Sequence, residues 1–120
     1  LSYPLGVHYG VPHGIAGGIF LPHVVKFNVD NGLKDYRNFY NLIAKKHTDN
    51  NDNIDHLFFE HLSLTWKQLN IPDNISLYGY TKKDKHRFIE DSLMMKGGLD
   101  GNPVKFGEKE IANTLDKLTK

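Results

Sequence analysis

Apolar residues recur along this chain at helical intervals, most clearly between positions 54 and 69. Ile54, Leu57, Phe58, His61, Leu62, Thr65, Trp66 and Leu69 keep a three-or-four-residue spacing, which places them on one face of a helix. Asp52 or Asn53 can supply its N-cap and Pro72 closes it. Leu33, Tyr36, Phe39, Tyr40 and Ile43 share a face of an earlier helix that ends near Lys46, where basic residues suit the carbonyl end. Thr81, with Asp84 three positions on, makes a capping box for a helix carrying Phe88, Ile89 and Leu93. A last amphipathic helix presents Ile111, Leu115 and Leu118, with Glu108 and Glu110 near its start.

The N-terminal quarter is less regular. Residues 1–12 are aromatic, Gly and Pro without a sustained period and read as a structured loop. A helix is expected over about 13–26. Its adjacent Gly17 and Gly18 cost roughly 1 kcal/mol each against alanine, which points to a backbone or ligand approaching closely. Pro22 should kink or tighten that helix. Residues 28–32 read as a turn, 47–53 as a polar loop and 73–80 as a loop, and Gly97-Gly98 and Asp100-Gly101-Asn102-Pro103 as breaks. No strand pattern and no internal repeat interrupts the series. The predicted class is all-α, a helical bundle.

Composition narrows the function. At 120 residues the chain is one domain or part of one, large enough for a core and small for an enzyme that also binds a large cofactor. A net charge of +1 offers no electrostatic basis for binding nucleic acid or an anionic membrane. The absence of cysteine rules out disulfide scaffolds and thiolate metal sites and fits a reducing, cytoplasmic setting. The longest apolar run, residues 15–25, is broken by Pro22 and His23 and falls short of the roughly 20 residues a membrane span needs. No signal peptide is evident, and a first residue other than Met is expected of a piece of a longer protein.

Seven histidines raise the question of a metal. His61 lies on the apolar face of the 54–69 helix, where a hydrogen-bonded core histidine is expected. His47, His56 and His86 sit among Lys, Asp and Asn and are expected on the surface. His8, His13 and His23 are spaced by five and ten, not by the four that puts two imidazoles on one helix face. No nucleophile elbow or phosphate-binding glycine loop is present. His13, between Pro12 and Gly14, stands where a helix can begin with a tightly defined backbone. On the residues alone it is either a ligand or a side chain that caps or packs the helix start.

The stretch Tyr-Pro-Leu-Gly-Val-His-Tyr-Gly-Val-Pro-His-Gly-Ile-Ala, followed by Leu21-Pro22-His23-Val24 and Phe27-Asn28, closely resembles the signature of the iron-containing (group III) alcohol dehydrogenase family. Leu69-Asn70-Ile71-Pro72 is similar to that family's Leu-Gly-Ile-Pro turn with Asn70 in place of glycine. Asn102-Pro103 is similar to its Asn-Pro-Arg segment with Val104 in place of arginine. The resemblance thus extends over essentially the whole chain.

It implies an NAD- or NADP-linked oxidoreductase interconverting a small alcohol and an aldehyde or ketone. It also implies the C-terminal part of the helical domain typical of dehydroquinate synthase-like folds, with an N-terminal dinucleotide-binding domain lying outside these 120 residues. In the family a divalent metal, Fe2+ before Zn2+, is held by one Asp and three His. The last of these is the histidine of the Pro-His-Gly motif, here His13, and the third falls two residues before Leu1. The implied chemistry is Lewis-acid activation of the alcohol oxygen with hydride transfer to the nicotinamide. In that scheme Gly14, Gly17 and Gly18 keep the helix wall thin beside His13.

Many members carry a histidine immediately before Pro-Leu-Gly that serves in proton relay. Tyr3 stands there instead, and its hydroxyl, with an ordinary pKa of about 10, is a poor proton carrier at neutral pH. Tyr3 is therefore a candidate catalytic or pocket-shaping residue. His8 and His23 match non-ligand positions. With one metal ligand of four, the isolated chain is expected to be inactive. The competing expectation is a non-catalytic helical interaction module, with apolar surface that self-associates or meets a partner.

Overall fold

The computed structural model describes residues 1–44 and 53–120. Every regular element among them is helical: α1 (Ser2–Tyr9), α2 (His13–Asp30), α3 (Tyr36–Ala44), α4 (Ile54–Gln68), α5 (Lys85–Met94), α6 (Lys96–Asp100) and α7 (Glu108–Leu118), with 3-10 turns at Ile75–Tyr78 and Lys82–Asp84. The all-α class holds. No helix among the described residues is long and apolar enough to cross a membrane. The chain divides into two compact units, one of residues 1–21 and 71–120, the other of residues 22–70.

In the first unit α5 packs on α7 and α1 on α5. Its core is built by Leu5, Val11, Ala16, Ile19, Phe20, Ile75, Tyr80, Phe88 and Phe106 together with Ile111, Leu115 and Leu118 of α7. Phe88 is the hub: its ring lies 5.9 Å from that of Phe20 and meets Tyr80 edge-on at 5.7 Å, geometries that aromatic quadrupoles favour. The Thr81–Asp84 capping box forms, but on the 3-10 turn Lys82–Asp84 that leads into α5 and not on α5 itself, with the Asp84 carboxylate accepting from the Thr81 N–H (2.9 Å) and hydroxyl (2.8 Å). At the α7 start the Gly107 N–H donates to Glu110 Oε2 at 3.0 Å. The Lys85 ammonium on α5 binds Asp116 on α7 at 2.7 Å.

The second unit rests on α3 against α4, with Tyr36 stacked on Phe58 at 5.0 Å. Asn28, almost fully buried, donates to the Tyr36 hydroxyl at 3.2 Å. Buried Asp55 meets Arg37 Nη2 at 3.4 Å.

Several sequence expectations change. Residues 1–12 are not a loop throughout, because α1 occupies most of them. Pro4 falls in its first turn, where a missing N–H costs no helical bond, and a buried Pro4-Leu5 pair anchors it without a long apolar period. Helix α2 continues to Asp30, past the expected end near 26 and through the supposed start of a turn at 28, because Val25, Asn28 and Val29 are buried at helical spacing. The reversal comes at Asn31-Gly32, with Gly32 at φ 88°. Pro22 lies inside this helix, which continues on both sides of it.

Helix α3 starts later than expected, at Tyr36, and is described to Ala44. The expected end at Lys46, His47 with its polar loop, and Asp52 as a cap lie outside the described residues. Asn53 does stand at the α4 N-cap, but its side chain does not make the capping bond. The loop at 73–80 contains a 3-10 turn opened by Asn74, whose side chain accepts from the Ser76 N–H at 2.8 Å. Gly97 and Gly98 sit within the short α6 instead of breaking the chain. Glycine weakens a helix without forbidding one.

Candidate functional site

The turn joining α1 to α2 presents His13. Gly10 ends α1 in the left-handed conformation (φ 65°), its N–H donating to the Gly6 carbonyl at 3.0 Å, while the Val11 N–H reaches the Leu5 carbonyl at 3.4 Å. This glycine-closed helix end satisfies carbonyls that α1 would otherwise leave open. Val11 is buried and acts as the pin of the turn. The Pro12 carbonyl then accepts the Ala16 N–H at 2.9 Å, so Pro12 stands at the N-cap of α2 and His13 at its first helical position.

Ala16, Ile19 and Phe20 face the core of the unit, whereas His13, Gly14 and Leu21 are exposed. A Cβ placed on Gly14 or Gly17 would meet nothing within 4 Å. The close backbone approach that the paired glycines suggested is thus not made by any described residue at Gly14 or Gly17. Beside His13 these glycines leave open space.

The His13 imidazole makes no hydrogen bond or ion pair with a described residue, so it is neither a side-chain cap nor a packed core group. A ring nitrogen is therefore available to ligate, which is what a metal ligand requires. Tyr3, on the first turn of α1, is 51% exposed, and no hydrogen bond joins it to His13. Among the described residues no three His, Asp or Glu side chains converge on a point that could hold a metal. His13 thus fits one coordinate of a metal centre, not a whole one.

The remaining described histidines divide. His61 is exposed, correcting the expectation of a core histidine: the apolar face of α4 is narrower than its spacing suggests, and Leu64 and Leu69 are exposed as well. His56 and His86 are at the surface as expected, His86 beside Glu90 at 3.3 Å. His23 is half-buried and engaged in an interaction of its own. His8 is the one whose setting no sequence signal indicated. Its Nε2 lies 2.6 Å from Asp91 Oδ2 on α5, a pairing across 83 positions.

Beside that pairing, Tyr9 lies 6.0 Å from buried Tyr80, ring to ring. Burial, and then Tyr9, push the Tyr80 hydroxyl up to about 12; burial likewise raises Tyr9. The Asp84 carboxylate is held below its ordinary range chiefly by its two bonds from Thr81. A groove of about 800 Å³ lies elsewhere in this unit, walled by Leu93, Leu99 and Phe106 with Lys96, Asn102 and Lys105. Neither His13 nor Tyr3 contributes to it.

Comparison with known proteins bears on this arrangement. The model of the Fe-containing alcohol dehydrogenase family, C-terminal part, matches residues 1–119. The chain is 26% identical over 119 residues to an NADPH-dependent butanol dehydrogenase of Clostridium saccharobutylicum, covering 97% of this chain and 30% of that protein. It is 25% identical over 114 residues to a 1,3-propanediol dehydrogenase of Citrobacter freundii, covering 93% and 29%. A shorter likeness, 39% over 46 residues, links it to the lactaldehyde reductase of Escherichia coli, covering 38% of this chain and 12% of that protein. The chain therefore spans less than a third of the length of these relatives. No solved structure matches it.

Proposed function

This chain belongs to the Fe-containing alcohol dehydrogenase family, and we propose that it forms the C-terminal part of the helical, metal-binding domain of an NAD(P)-linked alcohol dehydrogenase. The observation that carries the reading is His13: an exposed imidazole, without a partner among the described residues, at the first position of α2 in the family's Pro-His-Gly motif. A divalent metal held there, Fe2+ before Zn2+, would supply Lewis acidity toward an alcohol oxygen, and NAD or NADP would accept the hydride.

The contributions of this chain are binding and placement. Neutral imidazole is the form that ligates, and His13 would offer it from a backbone held by Gly10, Val11 and Pro12. The remaining Asp and two His would come from the part of the enzyme preceding Leu1, together with the dinucleotide-binding domain. The open face at Gly14 and Gly17 leaves room for a substrate or a neighbouring segment beside the ligand. Tyr3 would hydrogen-bond or shape the substrate through its exposed hydroxyl, without serving as the proton carrier. The relatives' names point to small alcohols and aldehydes as the substrate class.

The test is metal content. In the full-length enzyme, His13→Ala should lose most of its bound divalent metal while keeping its helical circular dichroism. Retention of stoichiometric metal would remove His13 from the ligand set. The rival reading, a non-catalytic interaction module, draws on α3, where Phe39, Leu42 and Ile43 are exposed and no residue is buried. It would be favoured by a full-length protein that binds neither metal nor nucleotide yet self-associates.

A further inference from the structure

We propose that His8 and Asp91 form a positioning pair, clamping the last turn of α1 to α5 and thereby fixing the turn that presents His13. The apolar attachments of α1 lie in its first half, at Pro4 and Leu5. Its last turn has no buried residue: Val7 is 58% exposed and His8 points a polar ring at Asp91. Between the half-buried Tyr9, whose ring lies 6.0 Å from that of Tyr80, and the buried pin Val11 beyond it, the directed polar contact that ties this turn to α5 is His8–Asp91.

The contact is suited to the role. Its 2.6 Å separation is that of a strong hydrogen bond between an imidazole and a carboxylate, made at the surface by side chains that are 28% and 24% exposed. The Lys26–Asp30, Arg87–Asp84 and His86–Glu90 pairs each lie within one helical turn and can fix no element against another. His8 to Asp91 joins two helices.

The consequence runs through backbone bonds. The reversal after α1 is hung on the carbonyls of Gly6 and Leu5, which accept from Gly10 and Val11. If the last turn of α1 frays, those bonds go with it, and Pro12 loses the support that sets the first position of α2. His13 lies five residues beyond His8. A ligand that must be held to about 0.5 Å is sensitive to such fraying. This role for the pair rests on the proposed reading of His13 as a ligand, whereas the clamp itself does not.

The experiment separates the two. Amide hydrogen exchange on the full-length protein should show Gly10 and Val11 opening about tenfold faster in His8→Phe, with Ile111 and Leu115 in α7 unchanged. His8→Gln, whose amide can still donate to Asp91, should restore protection. Asp91→Leu, which removes the acceptor from α5, should repeat the His8→Phe pattern and serves if that variant fails to fold. Unchanged exchange at Gly10 and Val11 in both loss variants would overturn the clamp.

In the full-length enzyme, Co2+ affinity measured against a chelator should fall several-fold in His8→Phe, with an altered Co2+ visible spectrum, and return in His8→Gln. Faster exchange with unchanged Co2+ affinity and spectrum would overturn the positioning role. Undiminished Co2+ binding in His13→Ala would instead sink the ligand reading, leaving the exchange result to judge the clamp alone.

Discussion

A left-handed backbone strains any residue with a side chain, and among the described residues Asn70 is the non-glycine that adopts one, at φ 54°. It sits just beyond the α4 cap residue Leu69, its N–H donating to the Lys67 carbonyl at 3.1 Å. That explains why the resembling family's turn has glycine here and why asparagine, the next most tolerant residue, can replace it. Asn70→Gly should raise stability by about 0.5 kcal/mol and Asn70→Ala lower it by about 1 kcal/mol in urea titrations. Equal midpoints for all three proteins would show that the turn carries no strain.

Tyr80 makes a second residue-scale prediction. Its hydroxyl, neutral when protonated, ionises near 10 in an unfolded chain and near 12 in the fold. The unfolded chain therefore gives up this proton first as pH rises. The contribution of Tyr80 is fully present below pH 10 and is lost as pH climbs through about 12. The urea midpoint should fall across that window, and Tyr80→Phe should lessen the fall. An identical pH profile in the variant would assign the loss to other groups.

Similar helical periods lead to different ends at the scale of elements. In α7, Ile111, Leu115 and Leu118 are all fully buried. In α3 the apolar stripe is as regular, yet its members Phe39 and Ile43 are 58% and 49% exposed, Leu42 beside the stripe is 78% exposed, and no residue of the helix is buried. Leu115→Ala should cost about 2–5 kcal/mol, the price of a buried leucine and its cavity, while Leu42→Ala should stay within about 0.5 kcal/mol. Thermal melts of the two variants check this; similar shifts in both would contradict the burial described. Spacing identified both helices because an apolar stripe is a property of local geometry. It carries no record of which stripe finds a partner. For the converse reason α1 escaped notice: eight residues anchored by two buried neighbours show no period at all.

For the whole molecule, a single proposed metal ligand, no convergent ligand group among the described residues and less than a third of the relatives' length lead to a plain expectation. Supplied with NAD or NADP, a divalent metal and small alcohols, the 120-residue chain alone should show no turnover. Turnover at a rate abolished by His13→Ala would mean that it builds a complete centre by self-association or by ligands not anticipated here.

The sequence by itself determined the helical class, the capping box at Thr81 and Asp84, the buried face of α7 and the placing of His13 at a helix start. All of these follow from interactions within three or four residues or from the backbone restrictions of Pro and Gly, which act wherever the chain goes. Tertiary structure decided what those rules do not reach. It turned His61 out to solvent, left Gly14 and Gly17 facing open space, and brought His8 to Asp91 across 83 positions. Each depends on which surfaces meet once the helices pack, and packing joins residues whose separation along the chain leaves no local pattern to read.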